Sequence, residues 1–189
     1  MGRAMNDGSG TEPAAIMVMT AVERIFARES PSSVSMRSIA AEAGCSLGLA
    51  YNYFTSKDEL LGATLDRIAL RLATEAASAD DPRDALISLV GSMRSNAAFP
   101  RLVTWLVLEG RDVSRLVSGF PLEQQVAAIA VERGADDPES IALTMALLAI
   151  GIYTYGDLLN RAVGRDPGDE RLLEFLGDVF AGLFPPSTD

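Results

Sequence analysis

Side chains able to transfer protons or attack carbonyls are scarce in this 189-residue chain. Histidine is absent, cysteine occurs once, at Cys45, and lysine once, at Lys57. A Ser–His–Asp or Cys–His centre is therefore excluded, as is a metal held by imidazole. Glu109, Asp112 and Asp157 could be tried as an acid–base set, but no spacing ties them to one cleft. The chain reads as a non-enzyme, with no cofactor and no metal site expected. A single cysteine cannot close an internal disulfide, so nothing depends on an oxidising compartment. Cys45 reads instead as a small hydrophobe in a turn.

The residues whose spacing does suggest a task lie between Ser35 and Lys57. Ser35 reads as the N-cap of a short helix over Met36–Ala43. Gly44 ends that helix as a residue of positive φ would, and Cys45-Ser46 completes a tight turn. A second short helix starts after Ser46 and runs to about Phe54. Two short helices across such a turn form a helix-turn-helix, whose second helix can enter the DNA major groove. Ile39 and Ala40 should face inward. Ala43 is small because the second helix crosses close by. Ser46, as cap, leaves the first turn of the second helix free for base edges.

The elements that must position this motif are helices. The chain is 48 % hydrophobic and 6 % aromatic, enough for a real interior in one moderate domain or two small ones. Residues 1–13 are polar and Gly-rich and read as a flexible arm with no signal peptide. A first helix is expected over Ala14–Arg28, with Ala15, Val18, Val22 and Ile25-Phe26 on one stripe, broken by Ser30-Pro31-Ser32-Ser33. After the motif, Ser56 caps a long fourth helix with Asp58 and Glu59 in its first turn. Asp80-Asp81-Pro82 stops it and starts a fifth, reaching about Ala98. Phe99-Pro100 marks a boundary before a helix over Arg101–Glu109, and Gly110–Pro121 is less regular. Further helices are expected at about Leu122–Arg133, Pro138–Val163 and Asp169–Leu183. No segment reads as a strand. The expected fold class is all-α: a three-helix DNA-binding domain over 14–61 and a helical domain over 62–189, for which the family resemblance given below implies effector binding and dimerisation. The longest apolar stretch, Ile141–Tyr155, falls short of the ~20 residues a bilayer requires, so a cytoplasmic protein without membrane contact is expected.

The net charge of −10 argues at first against a nucleic-acid partner. Its distribution weakens the objection. Residues 1–62 carry five cations against seven acids, so most of the excess lies beyond them. DNA binding needs local cations aimed at phosphates, not a basic chain. A helical dimer whose helix-turn-helix serves protein interaction stands as the alternative.

The stretch VERIFARES followed by SMRSIAAEAGCSLGLAYNYFTSKDELL resembles the tetracycline-repressor (TetR) family of DNA-binding regulators. Phe26, Ile39-Ala40, Ala43-Gly44, Ser46, Tyr51, Tyr53-Phe54 and Lys57–Leu61 carry the likeness, over roughly residues 18–61. It implies roles by position. Arg37 would reach a base edge or phosphate. Ser46, Leu47, Gly48 and Leu49 would open the recognition helix against the bases, with Tyr51, Asn52 and Tyr53 contacting bases or backbone. Lys57 would pair with phosphate beside the helix amides. Ser30 stands where the family usually has Gly, and Leu47-Gly48-Leu49 holds no bidentate hydrogen bonder. Readout would then lean on thymine methyls, Arg37, Asn52 and DNA shape.

The C-terminal half suggests a partner and a ligand. Ile141, Met145, Leu148, Ile152, Tyr155 and Leu159 form one apolar stripe, while Leu143, Leu147, Ile150 and Leu158 lie off it. A helix apolar on two sides needs two partners. The final helix carries Leu172, Leu176, Val179 and Leu183. Ile152, Tyr155 and Leu159 with those four are the expected homodimer interface, which is also the family's usual one. Gly151 and Gly156 would permit close approach. A dimer would place two recognition helices on a near-palindromic double-stranded operator. The family also usually holds a small-molecule pocket. Met93, Phe99, Trp105, Phe120, Met145 and Tyr153 are its candidates here, for an apolar effector.

Overall fold

The computed structural model describes residues 11–79 and 81–184, and every regular element among them is helical. The α-helices are α1 (Thr11–Phe26), α2 (Met36–Glu42), α3 (Leu47–Tyr53), α4 (Lys57–Ala77), α5 (Pro82–Ser95), α6 (Ala98–Leu108), α7 (Pro121–Glu132), α8 (Pro138–Ala162) and α9 (Arg171–Ala181). Two 3-10 turns, Pro31–Ser33 and Val113–Arg115, interrupt the loops. The expected arm lies outside the described residues through position 10. From Thr11 the chain is already helical, three residues earlier than its pattern suggested.

Capping side chains set the helix starts. Ser35 accepts from the Ser38 N–H, and the Ser38 hydroxyl accepts in return from the Ser35 N–H, a closed capping box. Ser46 accepts from Leu49, Ser56 from Glu59, Asp81 from Asp84 and Asp137 from Ser140. Each satisfies an amide that has no partner inside the helix. Gly44 takes φ +67°, the left-handed turn after α2 that its type had suggested. One boundary departs from expectation. Phe99-Pro100 does not precede α6 but sits in its first turn, where a missing N–H costs no hydrogen bond. Correspondingly, α5 ends at Ser95 rather than near Ala98.

The chain divides into two compact units. The first runs through Leu65 and takes in Arg101–Ser118; the second comprises Asp66–Pro100 and the chain from Gly119. In the first, α1, α2 and α3 pack on one another. Val18, Val22, Phe26, Ile39, Ala50, Leu60 and Leu61 are wholly buried. Leu116 of the returning segment approaches α4 so closely that a Cβ on Gly62 would stand 1.9 Å from its carbonyl oxygen. That segment is tied further by an ion pair from Arg111 to Asp58 at 2.7 Å.

In the second unit α8 packs against α5, α7 and α9, and α5 against α9. Ile68, Leu72, Leu86, Leu89, Met93, Val126, Met145, Ala149 and Phe180 belong to its core. Gly177 lets α9 meet α5, its would-be Cβ lying 3.0 Å from the Arg83 stem. The apolar stretch Ile141–Tyr155 lies within the 25-residue α8. By length and composition α8 is the one described helix that could cross a bilayer. Here its inner stripe, Ile141, Ala142, Met145, Ala149, Ile152 and Gly156, is buried in its own unit.

Candidate nucleic-acid interface

Helix α3 packs on α1 and α2 through its one buried residue, Ala50. Ala50 is wholly buried, so the positions around it turn outward. Gly48 and Asn52 are exposed, Tyr51 is 47 % exposed, and Leu47, Leu49 and Tyr53 are partly covered. Gly48 has open space where a side chain would project, its nearest neighbour being the Ser46 hydroxyl at 4.0 Å. Ser46 is held as the cap, with Oγ accepting from Leu49 at 3.1 Å. Arg37, on the first turn of α2, is exposed. The nine positions singled out from the sequence therefore share one unit, and eight belong to α2, α3 or the cap between them.

Lys57 is the ninth, at the start of α4. Two protons of its ammonium go to the Pro31 carbonyl at 2.8 Å and the Val34 carbonyl at 3.0 Å. Arg24 of α1 and Arg28 just beyond it are also engaged. Arg24 Nε donates to Glu42 Oε1 at 2.9 Å and Arg28 Nη2 to Glu42 Oε2 at 3.0 Å. The Arg24 hydrogen bond and the two positive charges hold the Glu42 carboxyl below its ordinary pKa. Glu59 is held low as well, chiefly by the Thr55 hydroxyl at 2.6 Å and then by the Thr55 N–H at 2.7 Å. It thereby closes the turn from α3 into α4.

Several positioning residues were not legible beforehand. Glu42, Arg111 and Glu109, whose Oε1 accepts the Ser32 N–H at 3.3 Å, have partners distant in the chain, and Glu59, expected only to complement the α4 dipole, also binds Thr55. Gly62 left one signal: a glycine inside an amphipathic helix costs about 1 kcal/mol against alanine and calls for a packing reason.

The proposed pocket residues divide. Met93 and Phe99 line one cavity of about 280 Å³ in the second unit, with Ile68, Arg71, Leu72, Glu75, Ser92, Ser95 and Asn96. Its wall carries a short hydrogen bond from the Ser92 hydroxyl to Glu75 at 2.5 Å. Met145 is buried in the core of the same unit, and Tyr153 packs against that core. Phe120 is largely exposed, and Trp105 lies in the other unit beneath the Arg101 guanidinium, 4.9 Å from its ring centroid.

The outward faces of α8 and α9 are apolar. Tyr155, Leu159, Val179 and Leu183 are exposed, and Leu172 and Leu176 are half-buried. Ile152 differs from the other interface candidates in facing its own core, yet it also floors a groove of about 430 Å³. Leu147, Leu148, Gly151, Tyr155, Leu159, Leu172 and Leu176 complete that groove. Gly151 opens onto free space, whereas Gly156 is buried.

Comparison with known proteins places this architecture. Residues 18–64 match the sequence model of the bacterial regulatory proteins of the tetR family. The chain is 30 % identical over 172 residues to an HTH-type transcriptional regulator of Mycobacterium tuberculosis, covering 86 % of this chain and 82 % of the relative. It is 29 % identical over 182 residues to an HTH-type transcriptional repressor of the same bacterium, covering 94 % and 93 %. Among solved structures, Salmonella enterica GusR superposes with a TM-score of 0.71 at 22 % identity, over 91 % of this chain and 95 % of that one. The helix-turn-helix, the all-helical second unit and a relative at this identity over most of both chains lead to one conclusion: the protein belongs to the TetR family of helix-turn-helix transcriptional regulators.

Proposed function

We propose that the protein is a dimeric repressor that grips a near-palindromic operator and releases it when a small molecule occupies the second unit. The observation that carries the DNA-binding half is the outward face of α3. Only Ala50 of this helix is fully committed to the core, leaving Leu47, Gly48, Leu49, Tyr51, Asn52 and Tyr53 for the major groove. Ser46 and Arg37 border the same face. Methyl contacts from the leucines, hydrogen bonds from Asn52 and the tyrosines, and one Arg37 cation would read the site.

Dimerisation is supported by the exposed apolar faces of α8 and α9, which solvent alone does not explain. Paired about a two-fold axis they would build a four-helix interface and set the spacing of two recognition helices. Release is supported by the cavity beside Met93 and Phe99. Its wall holds Arg71, Glu75, Ser92 and Asn96 beside apolar Ile68 and Leu72, so it suits an amphipathic effector better than a purely apolar one. The effector would favour a conformer with mis-spaced recognition helices, lowering DNA affinity by population shift.

The test is selection from random duplex DNA at low salt, followed by anisotropy on the enriched sequence with wild type and Asn52→Ala. Enrichment of a near-palindrome and weaker binding by the variant are expected. No enrichment from any pool would refute the repressor reading and turn the helix-turn-helix into a protein-interaction surface.

A further inference from the structure

We propose that the cavity beside Met93 and Phe99 takes a small protonated amine, its ammonium on Glu75 and its apolar body against those two side chains. The proposal rests on the effector-release reading above and names the chemistry of that effector. Its ground is the state of the Glu75 carboxylate, half-buried in the wall of the cavity. Oε2 accepts the Ser92 hydroxyl proton at 2.5 Å, in a part-buried setting. Among the described residues no other bond or ion pair engages this carboxylate, so Oε1 keeps its lone pairs. A carboxylate drawn partly out of water gains from a cation that brings its own proton to the open oxygen.

Ser92 narrows the ligand further. Its one hydroxyl proton goes to Glu75, so Oγ is left as an acceptor. Two neighbouring acceptors, one of them charged, select a ligand that carries both N–H donors and positive charge. A protonated primary or secondary amine has both. A quaternary ammonium has no N–H, and a carboxylate has neither.

The rest of the wall suits the body of such a ligand. Met93, Ile68 and Leu72 are buried, and Phe99 is half-buried. A thioether and an aromatic ring pack on hydrocarbon and also tolerate a neighbouring cation. At about 280 Å³ the cavity lies at the small end of ligand sites, which fits an amine with one ring or one short branched chain. Arg71 is the opposing charge on the wall. It is exposed and has a partner of its own, so water screens it more than it screens Glu75. The field of the whole unit points the same way. Its two segments, Asp66–Pro100 and the chain from Gly119, hold 17 acidic residues against 8 basic ones, nine of the ten net negative charges. Such a field concentrates cations near the unit.

The full chain is titrated calorimetrically with 2-phenylethylammonium, benzylammonium and isopentylammonium, each beside its alcohol and its carboxylate of matched length. At least one amine should bind, at least tenfold more tightly than its alcohol. Glu75→Gln should erase that preference while leaving the alcohol's affinity unchanged, and Ser92→Ala should weaken the amine as well. The Met93 methyl resonance should shift with the amine. Equal binding of amine and alcohol, a preference for the carboxylate, no binding by any of the three amines, or an unmoved Met93 methyl overturns the proposal. If Glu75→Gln does not fold, the preference of wild type for amine over alcohol still decides it. Anisotropy on the selected operator separates this proposal from the reading beneath it. An amine that binds at Glu75 and lowers operator affinity supports both. One that binds there without lowering it supports the amine site and refutes effector release.

Discussion

Raising the salt should weaken operator binding far less than is usual for a DNA-binding protein. Cations that neutralise phosphates release counterions, and each contributes about 0.9 to the slope of log K against log salt. In the first unit, Arg24 and Arg28 are bound to Glu42, Arg111 to Asp58 and Arg115 to Asp112. Lys57 gives two protons to carbonyls and keeps a third for a phosphate, and Arg101 lies over Trp105. Among the described residues of that unit, Arg37 is the exposed cation with no acceptor. One phosphate each for Arg37 and Lys57 gives a slope of about −3.6 for a dimer, or roughly a 150-fold loss between 50 and 200 mM salt. Were Arg24 and Arg28 also on phosphates, the slope would approach about −7 and the loss roughly ten-thousand-fold. The assay is fluorescence anisotropy with the selected operator at stepped potassium chloride. A chain starting at Thr11 is used, so that Arg3, outside the described residues, adds nothing. A slope steeper than about −5 would refute the reasoning, since it requires Glu42 to release its arginines on DNA. Arg37→Ala should then halve the slope if the count is right.

Gly62→Ala should destabilise the protein by about 1–3 kcal/mol in urea unfolding, because its methyl meets the Leu116 carbonyl and must displace backbone; an unchanged midpoint would mean that the returning segment is not seated on α4. Acid should expose the Asp169 contribution. Hydrogen bonds from the Arg171 side chain, then from its N–H, lower the Asp169 pKa from 3.8 to about 2. A depressed carboxylate stabilises the fold above its ordinary pKa and loses that effect as pH falls through the folded value. The difference in Tm between wild type and Asp169→Asn should therefore be full at pH 5, shrink between about 4 and 2, and vanish below; a difference independent of pH would exclude the ion pair as its source. Leu159→Asp, at a position 52 % exposed on α8, should leave far-ultraviolet circular dichroism unchanged yet sediment as a monomer. Retention of the dimer would move the interface off α8 and α9.

Much of this protein is local in origin and was legible residue by residue. Ser35, Ser46 and Ser56 mark helix starts because each side chain satisfies the amide three residues on. Gly44 marks the turn because its left-handed φ is cheap for glycine alone among common residues. Apolar spacing of three and four put Ile141, Met145 and Ile152 on one stripe with Tyr155 and Leu159, yet the first three are buried and the last two exposed. The two short helices and the turn of the candidate interface followed from the same short-range signals, while the roles of their residues came from the family resemblance.

What the tertiary structure decided are partners far apart in the chain. Lys57 finds its acceptors 26 and 23 residues away, and Glu109 finds Ser32 across 77. Gly62 meets Leu116, and the segment Arg101–Ser118 returns to the first unit. Met93 and Phe99 share a cavity, while Trp105, Phe120, Met145 and Tyr153 do not line it. Caps and helix periods are settled by sterics and hydrogen bonds within one or two turns, so residue type suffices to read them. A lysine ammonium, by contrast, can donate to phosphate oxygens, to backbone carbonyls or to both. Which of these it meets depends on where the packed helices leave those oxygens.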